Sequence, residues 1–474
     1  MDELPLSCPV MSRFLFWPSL RESQRVSSDS PLLRLLCCCW HSALHTRMWR
    51  CSRYMFCTVS VFVCVSVFYY SYHIEHEHLM RSQELPITIV MMNFQELPIA
   101  TDTITALDSR TFIISPYYEP RVSQSVRVIA IIHVSVKELY CIFHCSFNQS
   151  VFMRAQIDHH SDRFGFPYGT TDLLCAEPSG CNYTYMSFSS TVSTNTSQSL
   201  LFEVRNRPPQ PISSNFTICI STLYGNYNNV LQMIQSIEMY KILGASRVTI
   251  YNTSCSQDVD KVLRHYIDEG ILEVLPWPID RHLQTSTEWQ YSEGLTAEIG
   301  YFGQSATLND CLYRNMYKSK FVLLNDIDEI ILPVKDWDWS SLMERLQNKH
   351  PDTSVFRFEN HVFPTSVNIA EFDKWSHVPG VNILSHALPV RWLYLNNRKM
   401  IVNPRDIFQT SIHLIAKHRR NWRNIGQDLA ILFHCRRENG VNVKDLAPDD
   451  RLMRYKLSLV PNVDKVIQKL FPRQ

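Results

Sequence analysis

The sequence predicts an α/β chain: a parallel-rich sheet domain, preceded by a small β-rich domain and, ahead of both, an N-terminal membrane anchor. Three observations lead there. After residue 215, short apolar runs alternate with amphipathic helical periods, the pattern of βαβ units in a right-handed parallel sheet. Residues 111–205 hold short β-like runs between polar turns. Tyr54 to Tyr70 is uncharged throughout. A length of 474 residues corresponds to roughly two to four domains.

In chain order, residues 1–53 are irregular and basic, with Arg13, Arg21, Arg25, Arg34, Arg47, Arg50 and Arg53 against four acids. The 17 residues of 54–70 span about 25 Å as a helix, enough for a thin early-secretory bilayer. Arginines before it and Glu75 and Glu77 after it put the N-terminus in the cytosol. The alternating valines from Val59 to Val67 would also suit a strand, but an isolated one. Without a small-residue cleavage site the segment is expected to stay as a signal anchor. Cys37, Cys38 and Cys39 would be cytosolic, acylated or not, and Met48 could serve as a start.

Five sequons follow the anchor, at Asn148, Asn182, Asn195, Asn215 and Asn252. Eight cysteines follow it as well (141, 145, 175, 181, 219, 255, 311 and 435), an even number that suits disulfides in an oxidising compartment. Close spacing favours Cys141 or Cys145 pairing with Cys175 or Cys181. Residues 71–110 read as a stem, 111–205 as a small β-rich domain of sandwich character, and Arg207 to Pro211 as a linker.

The α/β core runs from 215 to 445, with 446–474 as a helical tail. Strands are expected at Phe216–Ser221, Arg247–Tyr251, Ile271–Leu275 and Phe321–Leu324. Helices fall between them, one carrying Val230, Met233, Ile234, Ile237 and Tyr240, one ending near Gly270, and one over Ser305–Tyr317. Directly after Phe321–Leu324 come Asp326, Asp328 and Glu329. A buried strand that ends in acids delivers them to the carboxyl rim of the sheet, where such folds bind ligands. The other reading is an acidic turn capping the next segment. Ser221, Thr222 and Asn252 should reach the same rim. Asp310 and Arg314, at i and i+4, could meet a base or sugar there, or form a surface ion pair.

A net charge of +1 with 19% charged residues argues against nucleic-acid binding. With 12 glycines and no Gly-rich phosphate loop, nucleotide binding through either common loop pattern is disfavoured. Asp-x-Asp at a sheet rim instead suits a hard cation, Mn²⁺ or Mg²⁺, clamping a diphosphate. That is what a nucleotide-sugar transferase needs for its leaving group.

Six stretches in order, Phe216–Ser221, Ile237–Ser246, Tyr251-Asn252, Pro276-Trp-Pro278, Asn309-Asp-Cys311 and Asp326-Ile-Asp-Glu329, resemble glycosyltransferase family 92 over roughly 215–440. Thr222 stands where members often have Pro, and His434-Cys-Arg436 where many have His-Tyr-Arg. The resemblance implies a GT-A fold, a type II Golgi anchor, and inverting transfer from a UDP-sugar, with galactose as the expected sugar and a glycan as acceptor, the family's characterised members resembling β-galactosyltransferases that act on fucose of N-glycan cores. It also implies metal ligation by Asp326, Asp328 and a late histidine, His413 or alternatively His434, and diphosphate contact by Lys399 or Arg398. For the base that deprotonates the acceptor, Glu359 is preferred over Glu329 and Asp373; each could instead be a surface acid, the better reading for Asp373, and Glu329 could instead support the metal. A catalytically inactive carbohydrate-binding protein on the same fold is the alternative. A metal-dependent phosphohydrolase would need more ligands than these motifs supply.

Overall fold

The structure, a computed structural model, describes residues 88–91, 97–122, 125–146, 148–192, 199–207, 211–367, 374–391 and 394–473. The anchor at 54–70, Cys37 to Cys39, Asn195 and Asp373 lie outside the described residues. No helix of the described residues is long and apolar enough to cross a membrane.

The first part of the described chain is a sandwich of two five-stranded antiparallel sheets. One sheet runs Thr88–Met91, Gln149–Arg154, Tyr140–Cys145, Tyr183–Ser189, Phe202–Glu203 in spatial order. The other runs Thr105–Asp108, Thr111–Glu119, Ser125–His133, Tyr168–Ala176, Gln156–His159. Two of these strands, Thr88–Met91 and Thr105–Asp108, fall inside the span read as a stem. Disulfide Cys141–Cys175 ties the layers together, and Cys145–Cys181 ties the first sheet to the turn between Tyr168–Ala176 and Tyr183–Ser189.

Strand Ser125–His133 shows why the sandwich is not free-standing. Val126, Val128, Ala130 and Ile132 face the sandwich core, while Ile129 and Ile131 on the other face join a second core with Trp277, Ile299 and Tyr313. Covered on both sides, the strand reads as a continuous apolar run rather than an alternating one. Each such isoleucine or valine contributes roughly 1.5–3 kcal/mol by burial. Residues Leu85–Gln474 accordingly form one compact unit.

The second part alternates as the sequence predicts. Strand β1 (Ser214–Leu223) leads to helix α1 (Val230–Ile242), β2 (Arg247–Asn252), α2 (Gln257–Asp268), β3 (Leu272–Pro276), α3 (Gln304–Arg314) and β4 (Ser319–Asn325). Gly244 and Gly270 follow α1 and α2 at φ +103° and +82°, the left-handed turn-off that glycine permits. Then come β5 (Glu329–Pro333), α4 (Trp339–Lys349), β6 (Thr353–Pro364), β7 (Tyr394–Val402), β8 (Asn421–Ile425), β9 (Ala430–Arg436) and α5 (Lys456–Leu470).

The sheet order is β3-β2-β1-β4-β7-β6-β9-β5, with β8 beside β6. Strands β3, β2, β1 and β4 are parallel. Antiparallel pairings of β7 with β4 and β6, and of β5 with β9, make the remainder mixed. The segment read as a C-terminal tail packs back: Leu459, Val463, Val466 and Ile467 of α5 join the core around α1. Helix α1 also buries polar Gln232, Gln235, Ser236 and Glu238, whose partners are the Cys435 carbonyl, Asn382, the Ile327 carbonyl and Tyr266 in turn.

Candidate active site

Asp326 and Asp328 lie in the tight turn joining β4 to β5, at the carboxyl end of a strand paired in parallel with β1. Side chains from α1 fix this turn from below. Ser236 Oγ donates to the Ile327 carbonyl at 2.7 Å, and Tyr240 Oη donates to the Glu329 carbonyl at 2.8 Å. The Asp326 amide donates to Glu329 Oε2 at 3.0 Å. Both aspartates are therefore held at the edge of a cleft of about 910 Å³, which Ser221, Thr222, Glu329, His413 and His434 also line.

The two aspartates have different surroundings. Asp326 Oδ1 accepts from Gln304 Nε2 at 2.9 Å and Ser221 Oγ at 3.3 Å, and Oδ2 meets the Lys399 ammonium at 2.9 Å. Burial favours protonation of Asp326, but the Lys399 ammonium outweighs it and holds the carboxyl below its ordinary value. Lys399 itself has only 1% of its side chain exposed and also lies 3.4 Å from Glu329. Glu329, equally buried, has one oxygen without a hydrogen-bond partner. Burial pushes its carboxyl up to about 7, against the pull of Lys399.

Asp328, like Asp326 about a third exposed, faces His434, whose Nε2 is 3.4 Å from Asp328 Oδ2. Asn360 Nδ2 lies 3.1 Å from His434 Nδ1 and fixes the ring from behind. Burial pulls the His434 imidazole down, and the Asp328 and Glu329 carboxylates overcome it, so it sits above its ordinary value. His413 lines the same cleft, but burial and the nearby Lys399 charge push it down to about 3.

These distances test the expected metal ligands. Among the described residues no group of three or more His, Cys, Asp or Glu is gathered to hold a metal alone. A hard cation in a nucleotide site needs only one or two protein donors, with substrate phosphates completing its shell. Adjacent ligands of an octahedral ion at 2.0–2.1 Å lie about 3 Å apart, close to the 3.4 Å between Asp328 and His434. Asp328 and His434 fit a cation, and Asp326 beside them on the cleft is engaged by Lys399, Gln304 and Ser221. The histidine facing Asp328 is His434, the alternative from sequence, while His413 lines the same cleft near enough to Asp326 for their charges to interact.

Several other expected site residues stand outside the cleft lining. Asp310 and Arg314 are absent from the cleft lining and make no surface pair. Asp310 is fully buried, and its carboxylate accepts from Tyr117 Oη, Tyr251 Oη and Arg314. Tyr117 comes from the sandwich, so this ion pair bolts the two parts together. Its i, i+4 spacing looked exposed because nothing local shows that α3 is covered on both sides. Lys399 does not reach the cleft lining, since its ammonium is used by Asp326 and Glu329. Asn252 donates to Cys255 Sγ at 3.3 Å and lies outside the lining. Glu359 also lies outside it, beside His361 and Arg398 at 3.7 and 3.9 Å.

Sequence reasoning missed Gln304, which bridges Ser221 and Asp326, and Asn360 behind His434. Gln304 opens α3 directly after Gly303, but an amide at a helix start carries no signal of its own. Cys219–Cys311 is a third disulfide, tying β1 to α3. Cys255 and Cys435 are free, so the even count did not mean full pairing.

A model of glycosyltransferase family 92 matches residues 214–468, more than half of the chain and all strands of the mixed sheet. The chain belongs to glycosyltransferase family 92. A family 92 protein of Caenorhabditis elegans is 31% identical over 160 residues, covering 33% of this chain and 30% of that protein. The beta-1,4-galactosyltransferase galt-1 of the same organism is 24% identical over 241 residues, covering 48% and 52%. The galactan beta-1,4-galactosyltransferase GALS3 of Arabidopsis thaliana is 25% identical over 230 residues, covering 46% and 40%. The matches thus span about half or less of these curated relatives. The family 92 match ends within α5 and begins at β1, so the sandwich lies outside it.

Proposed function

We propose that this family 92 chain is a metal-dependent, inverting glycosyltransferase that moves galactose from a UDP-sugar to a glycan acceptor. The observation that carries the reading is the Asp326–Asp328 turn at the rim of a parallel sheet, opening on a cleft of about 910 Å³. Two relatives named as galactosyltransferases support the choice of sugar. Asp328 with His434 would hold Mn²⁺ or Mg²⁺, which neutralises charge on a departing diphosphate. Lys399, Gln304 and Ser221 keep Asp326 ionised and aimed, leaving it as an acceptor for donor hydroxyls.

In the transfer, the acceptor oxygen bonds to the anomeric carbon while the bond from that carbon to the β-phosphate oxygen breaks. The electron pair leaves with UDP. Glu329 takes the acceptor proton in this reading, since it lines the cleft beside Asp328 and has one carboxylate oxygen without a hydrogen-bond partner. Glu359 stands outside the cleft lining, and Asp373 lies outside the described residues.

The proposed setting is the Golgi lumen, with the chain a single-pass type II protein anchored by 54–70. Three disulfides suit an oxidising compartment. Sequon residues Asn148, Asn182 and Asn215 are exposed.

Purified chain is to be incubated with UDP-galactose, UDP-glucose, UDP-N-acetylglucosamine and UDP-N-acetylgalactosamine against a glycan panel that includes core-fucosylated N-glycans. Galactose transfer that EDTA removes and Mn²⁺ restores is expected, and Asp328→Ala should abolish it with unchanged circular dichroism. Near-normal transfer by Asp328→Ala would sink the assignment. Absence of N-glycans on the tagged chain purified from a secretory-pathway host would refute the topology.

A further inference from the structure

Among the described residues, six non-glycine positions have positive φ. Three are Asn148, Asn206 and Asn226, a residue type that tolerates this conformation. The other three are aromatic, Phe164, Tyr301 and Phe302, at φ +51°, +44° and +50°. Bulky side chains avoid this region, and strain of this kind collects at binding sites where the surroundings enforce it. All three belong to one place, the mouth of the cleft above Asp326 and Asp328. Phe164 and Tyr301 line the cleft, and Phe302 stacks on Tyr224, another lining residue, at 4.4 Å and 15°.

The surroundings that enforce the strain are visible. Trp277 Nε1 donates to the Phe302 carbonyl at 2.8 Å. The loop after β3 is docked on the sandwich by the Tyr291 amide donating to the Phe164 carbonyl (2.9 Å) and by the Tyr168 amide donating to the Glu298 carbonyl (3.1 Å). That docking brings Trp289 against Phe164, ring centroids 5.8 Å apart and 77° between planes. Yet the two rings stay open to solvent, at 56% and 38% exposure. Strain and backbone bonds have been used to hold apolar rings where water reaches them. A recess of about 30 Å³ adjoins them, with Asp162, Arg163, Thr170 and Ser305 in its wall, room for a water or one hydroxyl.

We propose that Phe164, Trp289 and Tyr301 form a platform that binds a pyranose ring of the acceptor glycan, the sandwich supplying one wall of the acceptor site. The proposal rests on the transferase reading above and names the substrate class that this part of the cleft takes. A pyranose has an apolar C–H face and a rim of hydroxyls, which matches exposed ring faces beside a small polar recess. The donor diphosphate belongs with Asp326 and Asp328, which leaves the exposed rings of the same cleft for the acceptor. An occupant of the exposed mouth enters from solvent and keeps its remaining residues outside, as a glycan chain does. Phe164 lies outside the family 92 match, so the platform is completed by a part of the chain that can differ between relatives with the same catalytic domain.

The test uses Trp289→Ala, Phe164→Ala and the ring-keeping Trp289→Phe in the full chain. The measurements are KM for UDP-galactose and for a core-fucosylated N-glycan, and the Kd for that glycan by surface plasmon resonance. Loss of one stacked ring should raise the glycan KM and Kd about fivefold to tenfold while the UDP-galactose KM holds, and Trp289→Phe should recover most of the loss. A matching rise in the UDP-galactose KM would assign the rings to the donor's base and overturn the proposal. Unchanged glycan KM and Kd in both alanine variants would overturn it too. A wild-type chain that transfers no sugar but binds the glycan through Trp289 would overturn the transferase reading and keep the platform.

Discussion

Replacing Asp310 with Asn separates its structural role from the nucleotide contact that its spacing suggested. The carboxylate is 0% exposed and Arg314 8%, so solvent screening scarcely weakens the pair. The amide introduced by Asp310→Asn would keep one oxygen for a tyrosine hydroxyl but leave the guanidinium buried without a counter-charge. Removing one partner of a buried pair costs about 3–5 kcal/mol, whereas an exposed pair is worth about 0–1 kcal/mol. Guanidinium unfolding of purified chain, followed by circular dichroism, should therefore show a loss near the first range. Adding Arg314→Met removes the stranded cation, so the double variant should be more stable than Asp310→Asn alone.

The pH dependence has a definite sign. Burial raises the Asp310 carboxyl, but Arg314 and the hydroxyls of Tyr117 and Tyr251 prevail and hold it below its ordinary value. The pair's contribution is thus complete above the unfolded carboxyl value of about 4 and is lost as pH falls through the lower folded value. The gap between wild type and Asp310→Asn should stay constant at neutral pH and narrow in acid. A variant within about 1 kcal/mol of wild type, or a double variant less stable than the single, would refute the buried-pair argument. A raised KM for the UDP-sugar in folded Asp310→Asn would restore the nucleotide contact.

Three further outcomes follow from the site. His434→Ala should weaken Mn²⁺ binding, read by isothermal titration, far more than His413→Ala, because His434 is the ring 3.4 Å from Asp328; equal effects would contradict this. Lys399→Met should cut transfer more than about tenfold, because it leaves the Asp326 and Glu329 carboxylates without their counter-charge, and unchanged turnover would show that Asp326 needs no ammonium. Opening Cys219–Cys311 by a double Ser replacement releases a 92-residue separation and should cost about 4–5 kcal/mol in the loop-entropy account, measured by guanidinium unfolding under non-reducing conditions. A cost below about 1 kcal/mol would refute that account here.

Legibility depended on how local the cause was. Strand β4 and the acids after it could be read because one short segment carries both the apolar run and the carboxylates. Helices α1 and α2 were legible from their periods and glycine stops, and the disulfide-bonded sandwich from clustered cysteines and short β-like runs. The antiparallel half of the sheet was harder. Strand β7 inserts between β4 and β6, and no residue in Tyr394–Val402 announces that neighbour. The site followed the same rule. Asp326 and Lys399 meet across 73 positions, Ser221 and Gln304 across 83, and neither member of those pairs is unusual by itself.

The sequence alone determined that acids end a buried strand in an alternating α/β region, because periodicity and charge are properties of neighbouring residues. Tertiary structure decided what each acid does. Asp326 is neutralised by a lysine from β7, Asp328 is matched with His434 from β9, and Asp310 is taken out of the site to join the sandwich. Such roles depend on which strands become neighbours and on what is removed from water, and burial sets the worth of a charge more than its place in the chain does.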